Sequence, residues 1–290
     1  MNLKGTVTAL VTPFKNGKVD IESLRNLVSH QISSGVQALL ACGCTGEPGT
    51  LTEEEKLLVI DTVLEAAEGV VPVIAGTGTN STASTVEFTK HVSRRPVQAV
   101  LVITPYYNKP TPAGQLVHYT AAAEASEKPL VIYNVPGRTG TCMTIDTLAT
   151  LSEHPNIIGV KDAAGSVERV TQLRSVSNLT FMSGDDHLAL PQIFMGASGV
   201  VSVVSNAAPG LMSRMVQLGL SGDLPGARSI HDMLYPLFKV LFVETNPAPV
   251  KKALELMGVI SQDYPREPLV PVSEQSTLLI RSVLEDLSLL

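Results

Sequence analysis

One lysine stands where a buried strand should end, and this position would allow it to act as a nucleophile. Lys161 follows an apolar run in the segment NIIGVKDAAG. Burying a charged amine is unfavourable unless the amine is paired or neutral. Desolvation favours the neutral form and lowers the pKa from its usual value of about 10.4, which makes the nitrogen reactive towards a carbonyl carbon. An ion pair with Asp162 at a solvated strand end explains the same segment without chemistry, so both interpretations stay open.

Polar side chains also follow the other apolar runs of the chain. Each has an ordinary structural explanation, such as a turn, a core aromatic, a solvated loop cation or a helix cap. A metal-binding or acid pair is a further interpretation of the two aspartates. The residues concerned are Cys44, Thr45, Tyr107, Tyr133, Arg138, Asp185 and Asp186.

Taken together, these side chains favour Schiff-base chemistry on a 2-keto acid. The amine of Lys161 would attack the carbonyl, and a hydroxyl would carry protons through the carbinolamine. Tyr133 is expected on the neighbouring strand, where its phenol could reach the lysine nitrogen. Thr45 and the amides of its Gly-rich turn could hold the keto acid's carboxylate at a helix N-terminus. Arg138 could bind the carboxylate of a second substrate through its planar fork.

The elements that must position these residues alternate between strand and helix. Runs rich in Val, Ile and Leu with little polar alternation predict parallel strands that are covered on both faces. The predicted strands are 6–14, 36–43, 71–78, 99–107, 129–136, 156–163, 179–186 and 199–206. Helix starts are predicted at Asp20, Thr52, Asn80 or Ser81, and Thr111 with Pro112.

Eight strand–helix units predict an α/β fold of the (β/α)8 TIM-barrel type, with a doubly wound sheet as the alternative. In such a barrel the polar residues at the strand ends would converge on one mouth. The pattern after residue 218 contains only helices, predicted at 222–242, 246–257 and 274–289. We therefore predict a catalytic barrel domain over 1–218 and a C-terminal helical extension over 219–290 that packs on it.

The composition argues against several other classes of protein. A net charge of -6 provides no basic footprint for nucleic acid. The apolar runs are shorter than a membrane span, and the first residues do not form a signal peptide. The 3 cysteines fit a reducing compartment better than a disulfide framework, and Cys42 and Cys44 lack partners at metal-ligand spacing. We expect a cytoplasmic protein without a nucleic-acid partner, a membrane partner or a metal.

The motifs CTGEPGTLT, YYNKPT, YNVPGRTG, NIIGVKDAAG, SGDD and GVVSVVSN resemble those of the dihydrodipicolinate synthase family of pyruvate-dependent Schiff-base aldolases. The resemblance extends from GTVTALVTPF to LFVETNPAPVKKAL, over residues 5–254. It implies a lyase that condenses pyruvate with L-aspartate 4-semialdehyde in diaminopimelate and lysine biosynthesis. It implies no cofactor, since the covalent imine is itself the electron sink. It also implies a homotetramer built from two tight dimers.

The resemblance assigns catalytic roles to four residues. Lys161 matches the lysine that forms the imine, and Tyr133 matches the tyrosine that relays protons. Tyr107 matches a tyrosine that enters a neighbouring subunit's site and completes the relay. Cys44 stands where the family usually has threonine in that relay. Because a thiol hydrogen-bonds weakly, we hypothesise that the relay is retained but altered.

Three further residues match substrate-binding positions. Thr45 matches the threonine that holds the pyruvate carboxylate, and Arg138 matches the arginine that binds the semialdehyde carboxylate. Val201 occupies a position whose backbone carbonyl faces the substrate. Aldolases of the same superfamily that act on N-acetylneuraminate or keto-deoxy sugar acids are the first alternative, and Arg138 argues against them because they lack this arginine. A non-catalytic barrel that serves as a binding protein is the second.

Feedback inhibition by lysine is expected to be weak or absent. Inhibited family members use an acidic residue on the helix after the third strand, where this chain has Ser84. Glu53 and Lys56 replace imidazoles often found nearby, while Asn80 and Tyr106 are retained. Without the carboxylate at position 84, the amine of lysine would lose its partner.

Overall fold

The computed structural model describes residues 3–290. Its strands are β1 (Gly5–Ala9), β2 (Phe14–Lys15), β3 (Lys18–Val19), β4 (Ala38–Ala41), β5 (Val73–Gly76), β6 (Ala99–Ile103), β7 (Leu130–Asn134), β8 (Ile157–Asp162), β9 (Thr180–Ser183) and β10 (Gly199–Ser202).

The helices flank and follow these strands. They are α1 (Ile21–Ser33), α2 (Glu53–Ala67), α3 (Thr82–Ser93), α4 (Pro112–Ala125), α5 (Pro136–Thr139), α6 (Ile145–Leu151), α7 (Glu168–Val176), α8 (Ala189–Phe194), α9 (Pro209–Ser221), α10 (Leu224–Val240), α11 (Ala248–Leu256) and α12 (Glu274–Asp286).

Over residues 3–290, eight of the strands form one closed parallel sheet in the order β1-β10-β9-β8-β7-β6-β5-β4. The other two, β2 and β3, form a short antiparallel ribbon. The predicted (β/α)8 barrel is therefore confirmed, and the doubly wound alternative is wrong. The predicted strands continue too far at their carboxyl ends, since the polar residues there belong to turns and short helices.

Most of the predicted helix starts are confirmed by side-chain caps. Asp20, Ser81 and Thr111 each accept a hydrogen bond from an amide in the first turn of their helix. Thr52 forms a full capping box with Glu55. Ser81, and not the neighbouring asparagine, is the cap of α3.

Two compact units divide the described chain. One contains residues 3–5 and 74–201, and the other contains 6–73 and 202–290. In the first unit α3 packs on α4, α4 on α6, and α6 on α7. In the second, α1 packs on α2, α9 on α10, and α12 on both α10 and α11.

The predicted C-terminal helices are observed as α10, α11 and α12, each within a few residues of its expected bounds. The domain boundary expected at residue 218 stays a prediction. From residue 3 onward, no helix has both the length and the apolar character needed to cross a bilayer.

Candidate active site

Lys161 and Tyr133 face each other across two neighbouring strands of the first unit. The parallel register of β7 and β8 places the two residues opposite one another. The Lys161 Nζ lies 4.1 Å from the centroid of the Tyr133 ring. Both side chains are buried, with 3% and 6% of their surface exposed. The structure therefore brings together the two residues from which the predicted imine chemistry starts.

Asp162 lies on the opposite face of β8, because successive residues of a strand point in opposite directions. Its Oδ2 accepts hydrogen bonds from Arg169 Nε and Nη2 at 3.1 and 2.9 Å, and from Asn134 Nδ2 at 2.9 Å. Its Oδ1 accepts from the Ala164 amide at 3.0 Å. This carboxylate binds Arg169, and Lys161 is buried, so the interpretation of Lys161 as a lysine at a solvated strand end is wrong.

The backbone of Tyr133 is held from β6. Its carbonyl oxygen accepts hydrogen bonds from the amide and the hydroxyl of Thr104, at 2.9 and 3.0 Å. The Thr104 hydroxyl also bonds the phenol of Tyr119 at 3.0 Å. Burial raises the pKa of Tyr119, so this phenol stays neutral and serves as a fixed hydrogen-bond partner. These contacts fix the backbone of Tyr133 and therefore the position of its Cα and Cβ atoms.

Asp185 follows β9 in the same unit as Lys161. Its Oδ2 accepts from the Gly165 amide at 3.3 Å. Burial raises the pKa of Asp185, while the charges of His187 and Lys161 oppose that shift. Asp185 precedes a 3-10 turn at Asp186–Leu188, but its side chain makes no cap bond there. The interpretation of Asp185 as a helix cap is therefore wrong.

Three further predicted residues lie at or near strand ends of the first unit. Arg138 is exposed in the short helix α5. Tyr107 is 89% exposed and has a positive φ of 73°, which is uncommon for an aromatic residue. Val201 is buried within β10.

Cys44 and Thr45 lie in the second unit, in a 3-10 turn at Cys44–Gly46 that follows β4. Thr45 is buried and Cys44 is half-buried. The Thr45 Oγ1 accepts a hydrogen bond from Asn246 Nδ2 at 3.1 Å. Because the amide group of Asn246 is a donor there, the Thr45 hydroxyl can direct its own hydrogen to another acceptor, such as a carboxylate.

Two amides of this turn are bonded within the turn itself. The Gly46 amide donates to the Gly43 carbonyl at 2.8 Å, and the Glu47 amide donates to the Cys44 carbonyl at 3.2 Å. These two amides are thus used inside the turn. Cys44 and Thr45 are the first two residues of the turn and their amides precede these bonds, so the expected anion site at a helix N-terminus stays a prediction.

Sequence reasoning missed three residues around the turn. Glu47 is buried and accepts from Lys251 Nζ at 2.6 Å and from the Arg266 amide at 2.8 Å. Burial lowers the pKa of Lys251 to about 8, although the Glu47 carboxylate acts to raise it. Asn246 is the third residue, through its bond to Thr45. All three belong to segments that carry the resemblance, CTGEPGTLT and LFVETNPAPVKKAL. The sequence contains no pattern that predicts a contact between these two segments.

Position 84, where the prediction on lysine inhibition requires an acidic residue, carries a serine. Ser84 is exposed in the first turn of α3, where its amide and hydroxyl bond the hydroxyl of Ser81 at 3.3 and 3.2 Å. It offers no charge to an amine. Weak or absent inhibition stays a prediction.

Comparison with known proteins places the chain among enzymes of one kind. The model of the dihydrodipicolinate synthetase family matches residues 2–287. The 4-hydroxy-tetrahydrodipicolinate synthase of Trichlorobacter lovleyi is 43% identical over 99% of both chains. That of Methanosarcina acetivorans is 44% identical, again over 99% of both chains.

Solved structures agree with this result. Dihydrodipicolinate synthase from Thermotoga maritima superposes with a TM-score of 0.96 at 42% identity, over 99% of both chains. The chloride-inhibited enzyme of Acinetobacter baumannii, complexed with pyruvate, gives a TM-score of 0.97 at 41% identity over 100% of both chains. The resemblance predicted from the motifs is confirmed: the chain is an enzyme and belongs to the dihydrodipicolinate synthetase family.

Proposed function

We propose that this enzyme condenses pyruvate with L-aspartate 4-semialdehyde, the 4-hydroxy-tetrahydrodipicolinate synthase reaction of diaminopimelate and lysine biosynthesis. The observation that carries the proposal is the buried Lys161 amine, 4.1 Å from the centre of the Tyr133 ring. A buried amine beside a phenol has both a nucleophile and a proton carrier within one small volume. The names of the relatives support the same reaction.

The first half of the reaction builds a nucleophile from pyruvate. The neutral amine of Lys161 attacks C2, and the carbinolamine loses water to give the imine. Tyr133 supplies the proton that leaves with the hydroxyl group. The Tyr133 phenolate left by that transfer then takes a proton from C3, which gives the enamine, and the enamine carbon attacks the aldehyde of the second substrate. The protonated imine nitrogen accepts the electron pair of the broken C3–H bond, so we propose that neither a cofactor nor a metal takes part.

Two side chains would hold the carboxylates of the substrates. The Thr45 hydroxyl, which accepts from Asn246, would donate to the pyruvate carboxylate. Arg138 would bind the semialdehyde carboxylate, for which a guanidinium offers two parallel donors. The backbone carbonyl of Val201 would face the bound substrate. Cys44 would take part in the proton relay in place of the usual hydroxyl.

Tyr107 would complete that relay in a partner subunit. A phenol that is 89% exposed, on a backbone with positive φ, suits a residue that a second chain covers. We therefore propose a homotetramer made of two tight dimers. One similar solved chain is described as a monomeric dihydrodipicolinate synthase variant, so the family includes an exception. The acidic net charge and few cysteines support a cytoplasmic location with small-molecule partners and without nucleic acid or membrane.

Pyruvate aldolases that act on N-acetylneuraminate or keto-deoxy sugar acids form the same imine and are the alternative. Arg138 distinguishes the two, because sugar acids require hydroxyl-binding groups where the semialdehyde presents a carboxylate. Assays with L-aspartate 4-semialdehyde and with sugar acids, at equal pyruvate, separate the two activities.

The test of the imine is reduction with borohydride in the presence of pyruvate, followed by peptide mass mapping. We expect a reduced pyruvate adduct on Lys161. Lys251 is the internal control, because residues 3–290 contain two buried lysines and it is the other one. An adduct on Lys251, or none on Lys161, would contradict the proposal.

A further inference from the structure

The turn that carries Thr45 is bonded at two points to one helical segment of the second unit. Asn246, just before α11, donates to the Thr45 hydroxyl at 3.1 Å. Lys251, inside α11, donates to Glu47 Oε1 at 2.6 Å. The two contacts reach residues on either side of Gly46. The segment 246–251 therefore holds the turn in place from both sides.

Glu47 is the residue at which this turn changes direction. It has a left-handed backbone, with φ 56° and ψ 42°, and it joins the 3-10 turn at Cys44–Gly46 to a second one at Pro48–Thr50. A non-glycine residue keeps this conformation only where the surrounding contacts hold it. Both carboxylate oxygens provide such contacts, to Lys251 Nζ and to the Arg266 amide.

The ammonium group of Lys251 is enclosed on every side. It also donates to the Tyr264 carbonyl at 2.9 Å and lies 4.2 Å from the centroid of the Phe14 ring. The charged groups that act on it are Glu47, Asp263 and Arg266. Asp263 is paired with Lys252 and Arg266 with Glu55, so Glu47 is the carboxylate to which the Lys251 ammonium is bonded.

Burial makes this ion pair a weak source of stability, since both charged groups are removed from water. Burial lowers the pKa of Lys251 to about 8 even with Glu47 beside it. The charged form is thus less favourable in the folded protein than in water. Buried pairs of this kind are often replaced by apolar side chains without loss of stability, and in some proteins they fix the geometry of the groups they join.

We infer that the Glu47–Lys251 pair is a positioning device that fixes the Thr45 turn and, through it, the subsite for the pyruvate carboxylate, an inference that rests on the proposed function. Neither residue touches the reacting atoms in this account. They act by fixing the position of the Thr45 hydroxyl that binds the pyruvate carboxylate.

The test is the double variant Glu47→Gln/Lys251→Met, which removes both charges and leaves neither one buried alone. We expect KM for pyruvate, and the pyruvate concentration that gives half-maximal borohydride trapping, to rise about tenfold. The kcat at saturating pyruvate should stay within about threefold, because only binding of the first substrate is lost. KM for L-aspartate 4-semialdehyde should not change.

The matched control is Lys252→Met, one residue further along α11. The Lys252 ammonium binds Asp263 at 2.8 Å and Glu255 at 2.5 Å, and neither belongs to the turn. Its KM for pyruvate should equal that of the wild type. If the double variant does not fold, the single variant Glu47→Gln is measured in the same way, since it keeps the shape of the side chain.

The outcomes separate this inference from the proposed function. A wild-type enzyme that traps no pyruvate contradicts the proposed function itself. An active wild type with an unchanged pyruvate KM in the folded variant, whatever its melting temperature, would overturn the positioning role. A fall in kcat without a change in KM would overturn it as well.

Discussion

The carboxyl ends of β7 and β8 and the turn after β4 hold their functional side chains by different means. At the strand ends, the register of a parallel pair places Tyr133 opposite Lys161 and sends Asn134 and Asp162 to the other face. The turn after β4 is not held by hydrogen bonds between paired strands. Its shape depends on Asn246 and Lys251, which are 201 and 204 residues away in sequence from the groups that they bind.

The comparison shows where rigidity comes from in each region. In β7 and β8 the backbone hydrogen bonds set the direction of every side chain. The Asp162–Arg169 ion pair lies on the face of β8 opposite to Lys161. In the turn the side-chain bonds themselves hold the backbone. Removing a charged pair should therefore have its main effect on stability in the first region and on pyruvate binding in the second.

The largest expected effect is on the reacting pair itself. Tyr133→Phe keeps the ring beside Lys161 but removes the proton carrier, so kcat should fall about 10²- to 10⁴-fold. The fold and the melting temperature should be unchanged, because the carbonyl of residue 133 still accepts from Thr104. Steady-state kinetics and thermal unfolding check both points. A turnover within threefold of the wild type would show that another group carries the proton.

The next effect sharpens the contrast between the two ion pairs. Arg169→Met leaves the Asp162 carboxylate buried without its cation, which should lower the free energy of unfolding by roughly 3–5 kcal/mol. Arg169→Met combined with Asp162→Asn should recover a large part of that loss. Denaturant titrations measure both variants. Equal stability of the single variant and the wild type would mean that the strand ends do not depend on this pair.

The pH dependence of stability tests the account of Lys251. Its pKa is about 8 in the folded protein, below its usual value of 10.5. Between these pH values the unfolded chain binds more protons, so this group makes the free energy of unfolding rise with pH. Relative to Glu47→Gln/Lys251→Met, the wild type should gain on the order of 2 kcal/mol from pH 8 to pH 10. A wild type that instead loses stability relative to the variant would show that the amine is not desolvated.

The smallest expected effect concerns Cys44 in the turn. Cys44→Thr restores the hydroxyl usual in the family, and turnover should rise a few-fold because a hydroxyl hydrogen-bonds more strongly than a thiol. The pH–rate profile of the variant and the wild type should differ as well. If both turnover and profile are unchanged, the thiol has no special part in the relay.

The sequence supports prediction in one region far better than in the other. Continuous apolar runs and capping residues predict the barrel, and the order of the predicted strands places Tyr133 on the strand next to Lys161. The helix N-terminus predicted at Thr45 is observed as the short 3-10 turn Cys44–Gly46, in which the amides of Gly46 and Glu47 are bonded. A left-handed glutamate and its distant lysine leave no periodic signal, because their contact exists only after the chain has folded.

The most direct test of the central claim is a crystal structure of the enzyme soaked with pyruvate. We expect continuous electron density from the Lys161 Nζ to C2 of pyruvate, with the carboxylate accepting a hydrogen bond from the Thr45 hydroxyl. Pyruvate bound without a covalent link to Lys161, or attached to a different lysine, would contradict the account.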